Sequence, residues 1–207
     1  MRDVLNRWPA IATALVVASP TAALGGQLSV VTVAAPAINC VFHASCTVMV
    51  ADSVGQLPLS NLETPNTAWL QSRTYTGAAG TPGAGKTGYE YRLDMTKASG
   101  SLECIGGIVI NFGPVTGLPY KNNMNADVYV ITQGGLGTIG LASAEQDGDV
   151  IVFTFEKLMC PEQSANAANT SFFFGIASAH APTTISAGVF GTGAPPYFEV
   201  PARAPAH

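Results

Sequence analysis

Residues 89–95, Tyr-Glu-Tyr-Arg-Leu-Asp-Met, alternate strictly between apolar and charged positions. Tyr89, Tyr91, Leu93 and Met95 fall on one face of an extended chain and Glu90, Arg92 and Asp94 on the other, the period of a half-buried strand. Its polar face is expected to be a solvent-side ladder of opposite charges. Further strands are expected over 28–34, 46–52, 68–76, 104–112, 127–132, 149–156, 171–178, 183–190 and 197–200, short β-branched or aromatic runs between clusters of Gly, Pro, Asn and Ser. In 171–178, Phe172 and Phe174 share a face while Phe173 points oppositely, so this strand is expected to be buried on both sides. Asp147-Gly148 reads as a type I′ hairpin pair leading into the strand that follows.

About ten short strands with no intervening helical period predict an all-β domain, an antiparallel sandwich or jelly roll, preceded by an N-terminal helical signal segment. The long connections at 53–67, 77–87, 113–126, 133–146 and 157–170 are where binding residues are expected.

Composition sharpens this picture. Charged residues are 11% of the chain, with 22 Gly and 14 Pro among 207 residues, a mixture that favours turns and strands over helices. The net charge of −4 and the absence of a basic cluster argue against a nucleic-acid partner. Arg2 and Arg7 followed by the apolar run 10–18 read as a secretory signal peptide over 1–25, too short to span a bilayer. Residues 26–207 are then expected to form a single β-sandwich domain, secreted, at the cell surface or in a periplasm, without an integral membrane span. In such a compartment the four cysteines are expected to pair as Cys40 with Cys46 and Cys104 with Cys160. The alternative is a metal or redox centre on Cys40, His43 and Cys46.

The stretch 80–88, Gly-Thr-Pro-Gly-Ala-Gly-Lys-Thr-Gly, carries Gly80, Gly85, Lys86 and Thr87 at P-loop spacing. A working P-loop needs a helix after the lysine to bring backbone N–H groups onto phosphate. Here Gly88 and a strictly alternating run follow instead, so no nucleotide is expected and the stretch reads as a hairpin loop.

Other chemistry is sparse. The histidines are His43, His180 and the C-terminal His207, none in a motif that nominates a general base. Calcium has two candidate sites, Asn123 with Asn125 and Asp127, and Asp147 with Asp149; both lack the EF-hand pattern and also read as turn formers. Asn169-Thr170-Ser171 matches a glycan acceptor. Among the aromatics, Trp69 and Tyr120 lie beside polar or Gly-Pro segments and are the candidate exposed binding contacts. The leading expectation is a non-catalytic binding module for surface, matrix or adhesion roles, with an extracellular protein or polysaccharide as partner. A secreted hydrolase acting on glycans or esters is the second reading, and the Cys/His centre the third.

Overall fold

The computed structural model describes residues 26–59, 67–99, 104–161, 168–191 and 197–207. The expected signal segment, 1–25, lies outside them. The elements in chain order are β1 (Gly26–Gln27), β2 (Val30–Ala34), α1 (Ala35–Phe42), β3 (Ala51–Gln56), β4 (Trp69–Thr76), β5 (Thr87–Asp94), β6 (Ile105–Asn111), β7 (Leu118–Lys121), β8 (Met124–Ala126), β9 (Val128–Gln133), β10 (Leu141–Asp147), β11 (Val150–Met159), β12 (Phe174–Ser178), β13 (Pro182–Gly191) and β14 (Tyr197–Pro205). One six-stranded sheet has the order β1-β10-β11-β6-β13-β14, a second β2-β9-β12-β5-β4-β3, and β7 and β8 form a separate ribbon. The protein is an all-β sandwich. Within the two sheets the pairs are antiparallel except β2 with β9, which run parallel.

Alternation builds the inner core. Tyr89, Tyr91 and Leu93 of β5 meet Ile108 and Ile110 of β6, Phe153 of β11, and Phe174 and Ile176 of β12 between the sheets. Phe153 and Phe174 pack with ring centroids 5.0 Å apart and planes tilted by 47°. The hydroxyls of Tyr89 and Tyr91 donate to the carbonyls of His180 and Arg203 at 2.9 and 2.7 Å, so both rings are buried without an orphaned polar atom. Cys104 and Cys160 are disulfide-bonded as expected and staple the start of β6 to the end of β11, where Ile105 pairs with Met159.

A second apolar cluster lies on the outer face of the β2–β3 sheet. There α1 and the β7–β8 ribbon set Ile38, Val41, Phe42, Leu118 and Tyr120 against Tyr75, Tyr129 and Phe173. Helix α1 was not expected. Its eight residues follow a β-branched run, but Pro36 in the first turn suits a helix start, and Ile38, Val41 and Phe42 share the buried face at helical spacing. The strand expected over 46–52 is displaced along the chain: β3 runs Ala51–Gln56, most of it in the segment 53–67 read as a loop. Strands β7, β8 and most of β10 fall in segments read from sequence as loops.

This cover overturns the solvent ladder expected on β5. Glu90 and Asp94 are each 5% exposed, because β5 is a central strand whose outer face also lies under other elements. The hairpin expected at Asp147-Gly148 is shifted by one residue: Asp147 pairs with Val150, leaving Gly148 and Asp149 as the two-residue turn. Only the glycine of that pair has positive φ, 57°, the sign combination of a type II′ turn, which places Gly at the first central position.

The P-loop-like stretch is the connection between β4 and β5, as expected. What it cradles is a helix end. The amides of Ala78 and Gly83 donate to the carbonyls of Phe42 and Val41 at 2.8 and 2.9 Å, and Thr81 Oγ1 donates to the Phe42 carbonyl at 3.2 Å. The loop thereby satisfies the last carbonyls of α1. Close packing explains one glycine directly, since a Cβ on Gly83 would sit 2.6 Å from the Phe42 ring.

Candidate functional site

The register of the second sheet places Val31, Tyr129, Gly175, Glu90, Arg73 and Asp52 in one row across its outer face. Gly175 leaves a gap in that row. The Tyr129 ring fills it, since a Cβ on Gly175 would lie 2.4 Å from the Tyr129 hydroxyl; likewise the Tyr75 ring lies across Gly88, where a Cβ would meet it at 2.3 Å. Two tyrosines therefore lean inward over glycines, and each hydroxyl donates to Glu90 Oε1 at 3.0 Å. The two hydroxyls also hydrogen-bond each other. Tyr120 packs on Tyr129 with centroids 4.7 Å apart.

Burial pushes the Glu90 carboxyl above its ordinary range; the tyrosine hydrogen bonds and the charge of Arg73 work against that rise and Asp52 adds to it. Burial also holds the Tyr75 and Tyr129 hydroxyls well above the usual phenol range, with the charge of Glu90 adding to both.

Glu90 stands at the floor of a cleft of about 320 Å³, at the low end of small-molecule pockets. Arg73, Ile131, Phe173, Asn39 of α1, Val48, Val50 and Gly134–Leu136 also line it. Arg73 gives its Nε to Asp52 Oδ1 at 2.8 Å, and its guanidinium lies 4.1 Å from the Phe173 ring centroid, a cation–π contact. Val50 and Leu136 are 44% and 57% exposed, so the mouth is apolar.

Arg92 and Asp94 form an ion pair at 2.9 Å, and Asp94 Oδ1 also accepts the Thr96 amide and hydroxyl. Glu90 and Asp94 thus answer to separate partners.

The residues expected to act from sequence are dispersed. Tyr120 is 2% exposed, which overturns its reading as an exposed contact: it is part of the cover, and its buried hydroxyl makes no hydrogen bond among the described residues. Trp69 is half-buried at the start of β4, opposite Asp94 and Gln56 and away from the cleft. Asn123 follows Asn122 in the β7–β8 turn with φ of 58° and 50°, the type I′ pattern. Asn125 is exposed on β8, and Asp127 Oδ2 accepts the amide and hydroxyl of Ser29, both at 2.8 Å. Asp147 ends β10 and Asp149 lies in the β10–β11 turn, both exposed. Among the described residues no group of three or more His, Cys, Asp or Glu side chains comes together that could hold a metal ion.

Cys40 and Cys46 are bonded to each other, which removes both thiolates from the third reading. His43, in that small loop, has Nδ1 2.7 Å from Ser45 Oγ. His180 is exposed after β12, and His207 bonds Asn111 Oδ1 and the Pro205 carbonyl. Asn169 is 6% exposed and donates to the Cys160 carbonyl at 2.7 Å, so the folded chain does not offer it to a glycosyltransferase.

Sequence reasoning passed over Arg73 and Tyr129 and read Glu90 as part of a solvent-side ladder. The usable signal was glycine: Gly88 and Gly175 sit inside strands, where glycine marks close approach.

Comparison of the chain with protein-family models, with curated proteins and with solved structures finds no match. The two disulfides are compatible with an extracellular or periplasmic location, and among the described residues no helix is long and apolar enough to cross a membrane.

Proposed function

We propose that the protein is a non-catalytic binding module, secreted or held at a cell surface, and that its ligand enters the cleft above Glu90. The observation that supports this reading is the cleft itself: apolar walls around a few converging polar groups, Arg73, Glu90 and Asn39, the composition of a recognition pocket. Its size suits a small molecule, or one residue or sugar of a larger extracellular protein or polysaccharide.

A soluble panel of sugars, short peptides and organic acids, followed by amide chemical shifts, tests this. Saturable shifts concentrated at Ile131, Gly134–Leu136 and Phe173 are expected, and Leu136→Arg should abolish them while leaving the fold intact. Saturable binding that maps to another face would sink the reading.

Hydrolysis is the second reading, and one contact favours it, the 2.7 Å approach of Ser45 Oγ to His43 Nδ1. The same nitrogen also faces the Ser45 amide at 3.3 Å, the geometry of a local turn within the disulfide loop. A catalytic pair needs a third group to orient the imidazole; none of the described hydrogen bonds supplies one. Ester turnover that disappears in Ser45→Ala would restore hydrolysis; its absence in both proteins leaves binding as the function.

A further inference from the structure

The charge balance at the cleft floor identifies what the cleft accepts. Glu90 Oε1 accepts from the hydroxyls of Tyr75 and Tyr129, and burial favours the neutral form of its carboxyl.

Burial disfavours the carboxylate of Glu90, and Arg73 is the cation of the cleft lining. Its ion pair with Asp52 uses Nε, and the two terminal nitrogens lie outside that pair, a fork suited to a carboxylate. Asp52 itself is 47% exposed at the side chain and is screened by solvent. Above the charge, Ile131, Phe173, Val48 and Leu136 offer apolar wall.

We infer that the cleft binds a small amphipathic carboxylate, its head on the terminal nitrogens of Arg73 and its apolar body along Ile131, Phe173 and Leu136. This inference rests on the cleft being the binding site and adds the ligand class. It also carries a pH sense. The ionisable groups acting on Glu90 are Arg73 and Tyr75 of β4, Tyr129 of β9 and Asp52 of β3, with Tyr120 of β7 acting on the two tyrosines, while α1 and the 134–136 loop bring none to the lining. Raising the pH ionises Glu90 before the tyrosines, whose hydroxyls titrate higher, and sets a like charge beside the ligand's head.

Octanoate, 1-octanol and octylammonium share one chain length and test the assignment by titration into isotope-labelled protein. Octanoate is expected to bind tightest and to shift Ile131, Gly134 and Phe173. Arg73→Met, which keeps an apolar stem beside Phe173, should weaken octanoate at least roughly tenfold, the scale of one charge-assisted contact. Asp52→Asn, at an exposed position, should tighten it. From about pH 5 to about pH 8, across the range above a free glutamate, affinity should fall in the native protein and stay level in Glu90→Gln. Octanol binding as tightly as octanoate, or octanoate indifferent to both Arg73→Met and Asp52→Asn, overturns the anion assignment and leaves the cleft as a site. Affinity that rises with pH overturns the neutral role of Glu90. No shift at the cleft with any of the three overturns the ligand class and the site together.

Discussion

The two faces of β5 come from alternate residues of one strand and hold opposite chemistry. Inward, Tyr89, Tyr91 and Leu93 meet the facing sheet in an apolar layer whose two hydroxyls find backbone carbonyls at its margin. Outward, Glu90, Arg92 and Asp94 are also shielded from water, Glu90 beneath two tyrosines that pack under one helix and a two-stranded ribbon, Arg92 beside Phe173, and Asp94 beside Thr96 and Thr170. The inner face contributes mainly area removed from water, which is non-directional and tolerant in detail. The outer face holds polar groups that must each be matched, which is costly when incomplete and specific when complete. One side of the sheet holds the apolar packing, and the other holds the polar groups on which the proposed recognition rests.

The sharpest way to break the inner face is Phe153→Ala, which removes a ring buried at 0% exposure and should cost about 3–5 kcal/mol by denaturant unfolding. Tyr129→Phe, on the outer face, removes only the hydroxyl and should cost about 1 kcal/mol. If the two costs were equal, the division between the faces would fail.

The disulfides give the same contrast through chain entropy. Cys104–Cys160, with a sequence separation of 56, joins strands of the first sheet, whereas Cys40–Cys46, with a separation of 6, lies at the outer cover. Loop closure alone predicts losses of about 4 and about 2 kcal/mol when each pair is replaced by serine. Separate equilibrium unfolding of the two variants checks the ranking.

Gly175→Ala is a smaller change with a local readout. Its Cβ would displace the Tyr129 hydroxyl from Glu90, costing about 1–3 kcal/mol as overpacking and altering the near-ultraviolet signal of the tyrosines. An unperturbed tyrosine spectrum would mean that the gap in the row has another use.

Glu90→Gln should leave stability within about 1 kcal/mol at acid pH, the scale of one hydrogen bond. Its value is in the pH profile. A carboxyl whose folded pKa is raised contributes most below its unfolded value of 4.5 and loses that contribution as pH rises through the folded value. The native protein should therefore lose stability relative to Glu90→Gln as pH rises above 4.5, and melting temperatures across that range measure it. The smallest effect expected is that of Leu136→Ser at the cleft mouth, within about 0.5 kcal/mol in stability and visible only in ligand binding.

Several features could be read from residue order because they are local. The alternation of 89–95 placed its inward face; Gly88 and the alternating run after Lys86 argued against the helix a P-loop needs; and the even set of cysteines in a chain with an apparent export signal led to the pairing found. Helix α1 and the ribbon β7–β8 were illegible for a physical reason. Eight residues are too few for periodicity to outweigh a β-branched flank, and type I′ asparagines look like any polar loop.

What residue order determined by itself is the all-β sandwich and which side of each strong strand is apolar, since both follow from the two-residue repeat of an extended chain. What only the tertiary structure decided is the fate of the other side of β5. A charged residue on a strand faces water unless something distant covers it. Here α1 and the ribbon, closing over Tyr75 and Tyr129, help to do so, turning Glu90 from an expected surface anion into a buried carboxyl whose neutral form burial favours.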